Sequence, residues 1–536
     1  MKNFASPEAV PFAQVLATSL PAIAVLLPWI WWILEALPAL GTFSDSIDYL
    51  VLSEYYSRHF RDVVPQYAVA FFGQSRFPPL FPLALAAVDA SPLNLQPALL
   101  LSGAFAILAV VATSAWYVTE IRPTWVSALL VLVGTAAAAP MLQLINPVSE
   151  PFMQMLLMPA FILAARRPRP GSSLIVLAAL VGLIPLARMA GVALVAAFVI
   201  WLIRRSDVPR RQGLLYAVVA LLPASAWLGY RSLLPIEESY VASLSAQRML
   251  DAFGGWLGLL SQPLNLLSGL ASVFDPLLGP LAWAGATLVV ILAVLALPSR
   301  LRSNSLDAWY TMAYVGLVLI WPYPAEATRL MSAILPVVLL QAWNGASLVA
   351  TAGAGRAWST RQWPALFAVA WVIACMPAWW HIVHRASLPI DPDLERYRRS
   401  PAYFMSESDE LAIAGTGAWA RIVAMAEELP QVVPRNDCVY TFFPAMIWVL
   451  SGQRTRVKPI PSDVARGRMS LDQLRDCRFL MPVNTSSAQT GVPPLYPLDA
   501  LRDRTRPVLK SEFAFRDGRV VAAVLLERTD LGRHDD

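Results

Sequence analysis

The chain is poor in charge, in cysteine and in histidine, and each shortage removes a class of function. Only 14% of its 536 residues are charged, against about a quarter in soluble domains. With 57% hydrophobic residues and a mean hydropathy of +0.54, it reads as an integral membrane protein with many spans. Three cysteines exclude a disulfide-rich scaffold and a cysteine zinc site. Four histidines (His59, His381, His384 and His534) do not make a histidine-rich metal centre. There is no GxxxxGK[ST], no HExxH and no GxSxG, so nucleotide hydrolysis and zinc peptidase chemistry are unsupported. The net charge of +5 does not point to nucleic acid. The arginines fall in short loops, where they set membrane topology.

What is present is a series of apolar runs. A span needs about 20 mostly apolar residues. Candidates are Val15–Leu37, Gln96–Val118, Val126–Leu144, Glu150–Ala165, Ser172–Leu186, Val192–Ile203, Leu214–Tyr230, Leu278–Leu297, Ala308–Trp321, Leu330–Val349 and Ala365–Ile382, about eleven in all. Several are short. The first is read as a retained span, not a cleaved signal. The expected fold class is mainly α, a polytopic transmembrane helical bundle followed by a small α/β domain. Expected domains are 1–388 in the membrane, with interfacial helices over 41–92, and 389–536 outside it.

Sidedness follows from the basic loops. Arg166, Arg167 and Arg169 share one loop, and Arg204, Arg205, Arg210 and Arg211 another. Arg300 with Arg302 and Arg356 with Arg361 mark two more. Placing these on the cytoplasmic side puts every unusual polar cluster on the outer face, together with the C-terminal domain. In that domain Trp419–Leu429 reads as an amphipathic helix, and Cys438–Phe443 and Arg478–Val483 as short buried strands. Val508–Phe515 and Arg519–Glu527 flank Asp517-Gly518, a hairpin signal. Cys438 and Cys477 suit either a disulfide or two separate buried thiols. Cys375 lies in a span.

The outer-face clusters carry the chemistry. Asp45 and Asp48 stand three residues apart at the start of a helix that also holds Tyr49, Glu54 and Tyr56. A carboxylate there caps free amides or serves as general base on an acceptor hydroxyl. Arg76 precedes Pro78-Pro79, which break any helix. It contacts lipid headgroups or binds phosphate oxygens. Glu150 opens a span, Arg188 lies in a tight loop, and Tyr323, Glu326 and Arg329 follow Trp321. Each has a simpler explanation: a cap for Glu150, an interface anchor for Arg188, a one-turn Glu326–Arg329 ion pair. Together they look like an anion site beside an acid.

In their order these features resemble the GT-C superfamily of integral-membrane glycosyltransferases. The nearest members are bacterial ones related to protein O-mannosyltransferases and to the lipid A aminoarabinose transferase. The resemblance rests on Asp45 in the first outer loop, Tyr49 and Tyr56, and Arg76 before Pro78-Pro79. It continues through Ser149-Glu150, Ala187-Arg188 with Gly191, and Arg329 before Pro336, and covers about the first 385 residues. The basic residue is Arg where Lys is commoner, and the acidic pair is spaced Asp45-Ser46-Ile47-Asp48, so either aspartate suits the base.

The resemblance implies a polyprenyl-phosphate-linked sugar donor, with the lipid tail between helices and the phosphate at Arg76, Arg188 and Arg329. Asp45 or Asp48 is the catalytic carboxylate, and Tyr49, Glu54, Tyr56, Glu150, Tyr323 and Glu326 line the substrate cavity. Transfer is inverting, onto an envelope glycan, a glycolipid or a protein, in the bacterial inner membrane with the site facing the periplasm. No cofactor is required on this reading. A divalent Mg or Mn ion at Asp45 and Glu150 is the lesser alternative. A flippase for a lipid-linked sugar uses the same residues. The absence of an internal repeat and the one-sided polar clusters weigh against it.

Overall fold

The computed structural model describes residues 11–36, 44–61, 77–91, 94–121, 124–233, 255, 258, 260–275, 277–321, 326–352, 362–389, 403–404, 408–441, 444–452, 454–460, 474–482, 503–514 and 520–530. The chain divides into two compact units. The first comprises Met1–Leu34, Gly73–Ala84 and Leu99–His384; the second comprises Glu35–Phe72, Leu85–Ala98 and Arg385–Asp536.

The described residues of the first unit form helices joined by turns and loops. Apolar runs form helices in a membrane because only a helix satisfies every backbone group within the segment. Each of the eleven expected spans coincides with a helix or a helix pair. Among the described residues, five helices are long and apolar enough to cross a membrane by themselves: Phe12–Glu35, Gln96–Glu120, Arg210–Ser232, Pro280–Arg302 and Ala327–Thr351. Another five are apolar but shorter.

The expected span Val126–Leu144 is two helices, Thr124–Ala136 and Ala138–Gln143, with Ala137 extended between them at φ −61° and ψ 145°. Pro140 explains the break. It has no N–H for the carbonyl of Ala136, and the indole Nε1 of Trp379 donates to that carbonyl instead. A helix not expected from the sequence, Gln262–Phe274, packs against Pro280–Arg302 and Ala327–Ala352. It buries Leu266, Leu270, Val273 and Phe274.

The basic loops gather at one end of this unit. Arg167 Nη2 donates to the carbonyl of Ser303 (3.1 Å), Arg205 Nη2 to that of Pro168 (2.9 Å), and Asn304 Nδ2 to that of Trp201 (3.1 Å). Arg300 grips Asp307 with both arms of its fork, Nε to Oδ2 at 2.9 Å and Nη2 to Oδ1 at 2.8 Å, and reaches Glu120 at 3.1 Å. Glu150 and Arg166 lie at opposite ends of the helix between them, so the acid–arginine features fall at the other end.

The second unit contains a five-stranded sheet in the order β2-β1-β3-β5-β4. The strands are β1 Cys438–Thr441, β2 Arg456–Pro459, β3 Phe479–Met481, β4 Thr505–Ala514 and β5 Val520–Arg528. β1 is parallel to β2 and β3, while β5 is antiparallel to β3 and to β4. β1 and β3 are wholly buried, as short apolar central strands require. Strand β2 and the helix Pro444–Leu450 carried no legible sequence signal. The Asp517-Gly518 turn lies outside the described residues. Glu527 on β5 receives Arg506 Nε at 2.6 Å and Arg478 Nη2 at 2.5 Å, and the Arg506 bond holds its carboxyl below the usual range.

Cys438 and Cys477 form a disulfide with Cα atoms 4.8 Å apart across 39 residues. Loop-closure entropy for a loop of this length amounts to about 4 kcal/mol. The double variant Cys438→Ser/Cys477→Ser is therefore expected to unfold at lower temperature than the oxidised protein. Reductant is expected to lower the wild-type midpoint to the same value, read by thermal melting of the purified chain.

The helix Ser44–Arg61 belongs to the second unit and packs against Pro444–Leu450. Ser53 Oγ ties it to the carbonyl of Ala90 at 2.7 Å. From Asp45 to Glu54 it is buried except at Asp48, which is intermediate.

Candidate active site

In the first unit, three residues distant in sequence meet. Glu150 is the first residue of the helix Glu150–Ala165 and is 2% exposed. Arg188 ends the helix Ser172–Ala187 in an extended conformation. Arg329 stands in the first turn of Ala327–Ala352. Both guanidinium groups bond the same carboxylate oxygen: Arg188 through Nη1 and Arg329 through Nε, each to Glu150 Oε1. Arg188 Nη1 also lies 3.4 Å from Ser149 Oγ.

Local backbone chemistry sets this up. Arg188 precedes a single 3-10 turn, Met189–Gly191, which leads into the helix Val192–Ile203. The turn folds back on the preceding helix so tightly that a Cβ at Gly191 would lie 2.6 Å from Ile184 Cγ2 and 2.8 Å from its carbonyl carbon. Only glycine fits, and the close turn fixes where Arg188 begins. Glu150 and Arg329 stand in the first turns of their helices, where the free amides favour negative charge. Two full positive charges and these partial charges face one carboxylate. Such a buried arrangement is chemically an anion holder.

A polar seam continues from the triad. Arg329 O accepts from Ser332 Oγ (2.8 Å), which accepts from Gln143 Nε2 (2.7 Å). Gln154 Nε2 donates to the carbonyls of Ser332 (3.2 Å) and Ala333 (3.1 Å). Pro336 creates the need, since without an N–H it leaves the Ser332 carbonyl open. Tyr117 donates to the Pro336 carbonyl at 2.5 Å. Removing the amide leaves a buried carbonyl unmatched, at about 1–3 kcal/mol. Gln154→Leu is therefore expected to lower the midpoint of thermal unfolding while leaving the ion triad in place, whereas Gln154→Glu is worse. A melting series of the purified variants checks both.

The seam borders a narrow cavity of ≈ 60 Å³. Its polar wall holds Glu150, Gln143, Gln154 and Ser332; its apolar wall includes Leu26 and Val110. Tyr314 donates to the carbonyl of Leu330 at 2.9 Å, and its ring lies 5.4 Å from that of Tyr310.

Of the residues singled out in the sequence, Glu150, Arg188 and Arg329 are brought together. Glu326 accepts from Trp321 Nε1 at 3.2 Å. Asp45, Asp48, Tyr49, Glu54 and Tyr56 share the helix Ser44–Arg61 of the second unit, where Glu54 also pairs with Arg58. Arg76 and Tyr323 lie outside the described residues. The sequence reading passed over Gln143, Gln154 and Ser332, although polar side chains inside apolar spans are a recognised signal of function. Among the described residues, no three His, Cys, Asp or Glu side chains gather closely enough to hold a metal ion.

No family model matches the chain, and no curated protein matches it. Among solved structures, it is similar to ArnT from Cupriavidus metallidurans bound to undecaprenyl phosphate, with a TM-score of 0.48 and 13% identity over 95% of this chain and 98% of that one. The apo state of the same protein gives a TM-score of 0.42 and 12% identity over 95% of this chain and 97% of that one.

Proposed function

We propose that the protein is a glycosyltransferase of the bacterial inner membrane. It moves one sugar from a polyprenyl-phosphate donor onto a cell-envelope glycan or glycolipid at the outer face. The observation that carries this reading is the meeting of Arg188 and Arg329 on one buried carboxylate beside a cavity within an apolar helical bundle. A ligand with both a phosphate and a hydrocarbon chain suits such a site, because arginine recognises phosphate oxygens and the surrounding helices are apolar. The order of features from Asp45 to Arg329 supports the same class. The Cys438–Cys477 disulfide supports an oxidising compartment for the C-terminal unit.

In the proposed reaction an acceptor hydroxyl attacks the anomeric carbon. The bond from that carbon to the phosphate oxygen breaks, and its electron pair stays on the lipid phosphate. The hydroxyl proton passes to a carboxylate, for which Asp45 is the choice and Asp48 the neighbour. The configuration inverts. The phosphate gains one unit of negative charge, which Arg188, Arg329 and Arg76 stabilise. The reaction needs no cofactor.

The test is sugar release from a radiolabelled undecaprenyl-phosphate donor by purified protein in detergent, with and without envelope extract. Asp45→Asn is expected to lose about 10²–10⁴ in turnover, the usual contribution of a general base, with an unchanged melting point. Full turnover by that variant would remove Asp45 from the mechanism. Binding of the donor without cleavage in any acceptor mixture favours a flippase.

A further inference from the structure

Glu150 is used in an unusual way. One of its oxygens is shared by two guanidinium groups. The other, Oε2, is buried and has no hydrogen-bond partner among the described residues. A carboxylate retained for stability accepts both arms of a guanidinium fork, one on each oxygen. Asp307 does this for Arg300 at the opposite end of the same bundle, with bonds of 2.9 and 2.8 Å. Two N–H groups converging on a single oxygen is how a phosphate oxygen is held, and leaving a buried carboxylate oxygen unmatched costs stability. What Glu150 adds to the site is its negative charge, placed on the wall of the cavity.

On the lipid-phosphate reading above, we propose that Glu150 is a specificity residue. It lowers the advantage that the arginine pair gives a doubly charged phosphomonoester over a singly charged phosphodiester. The sugar donor is a phosphodiester; the spent lipid carrier is a monoester, with about −1.5 to −2 charges at neutral pH. Coulomb repulsion from the carboxylate scales with ligand charge. It therefore weakens monoester binding about twice as strongly, in free energy, as diester binding. One fixed charge thus biases the site towards donor entry and product departure. Other charges near the triad, Glu326 among them, are the same with and without Glu150, so they leave the differential intact.

The experiment titrates undecaprenyl phosphate and its methyl phosphodiester against the purified full-length chain at pH 8, for wild type and Glu150→Gln. The ratio of monoester to diester affinity is expected to be about threefold lower in wild type than in Glu150→Gln. In Glu150→Gln the diester is expected to bind about threefold more tightly and the monoester about ninefold, by the charge scaling above. Parallel weakening of both lipids in the variant would make Glu150 a strut for the arginines and overturn the proposal. Should Glu150→Gln fail to fold, Glu150→Ala is titrated in its place, and a monoester-to-diester ratio unchanged from wild type overturns the proposal. Wild type that binds neither lipid overturns the lipid-phosphate reading itself, and the proposal with it.

Discussion

On the proposed mechanism, replacing Arg329 with alanine is expected to lower sugar transfer by about 10²–10³-fold, the usual loss when one preorganised donor to a developing negative charge is removed. Arg188→Ala should behave alike, since both side chains end on the same atom of Glu150. Neither variant leaves Glu150 alone, because the other arginine remains, so the fold should persist. Lysine is not a substitute at either position. It offers a point charge without the planar fork, and Arg329→Lys should recover less than a tenth of the activity. Residues that act as a unit are not additive, so the double alanine variant should lose little more than the worse single one. Turnover and melting midpoint measured on the same preparations check this. Additive losses would show that the two arginines work separately.

Gly345→Ala is expected to be the most damaging single-methyl change in the first unit. A Cβ at this position would lie 1.9 Å from the carbonyl oxygen of Leu292 and 2.7 Å from its carbonyl carbon. The obstacle is backbone, so no rotamer change relieves it. The helices Pro280–Arg302 and Ala327–Ala352 form the most extensive helix pair of the unit, and small residues are what allow backbones to approach in membranes. Overpacking costs about 1–3 kcal/mol, and a clash with backbone lies at the upper end. The second helix also carries Arg329 and Ser332, so activity should fall with stability. Gly316→Ala is the control, with nothing within 4 Å of its Cβ, and it should be neutral or slightly stabilising. Monodisperse yield and melting midpoint separate the two. A wild-type midpoint for Gly345→Ala would mean that the helices part without cost.

The helices were legible because apolar runs have one stable backbone solution in lipid. The end of each run was legible because Glu150, Arg188 and Arg329 are conspicuous in apolar surroundings. Their convergence on one atom was not, since the pairs lie 38 and 179 positions apart and no local pattern encodes such a meeting. Gln154 was missed for a related reason. Its task is set by Pro336, on another helix, and a glutamine in an apolar span gives no sign of which carbonyl it will serve. In the second unit, β4 and β5 could be read from their alternation and the turn between them. The four-residue β2 could not, because its pairing with β1 is long-range and its own residues are mixed.

The packing of Ser44–Arg61 against Pro444–Leu450 also sets a timetable. The helix bearing Asp45 leaves the ribosome early, and its partner is made nearly four hundred residues later. At about 5–20 residues per second, that helix waits on the order of 20–80 s for its neighbour. A chain stopped after its last span has every arginine of the triad but no completed seat for the aspartate helix. On the proposed mechanism, partly made molecules in the membrane stay inert until synthesis is almost finished.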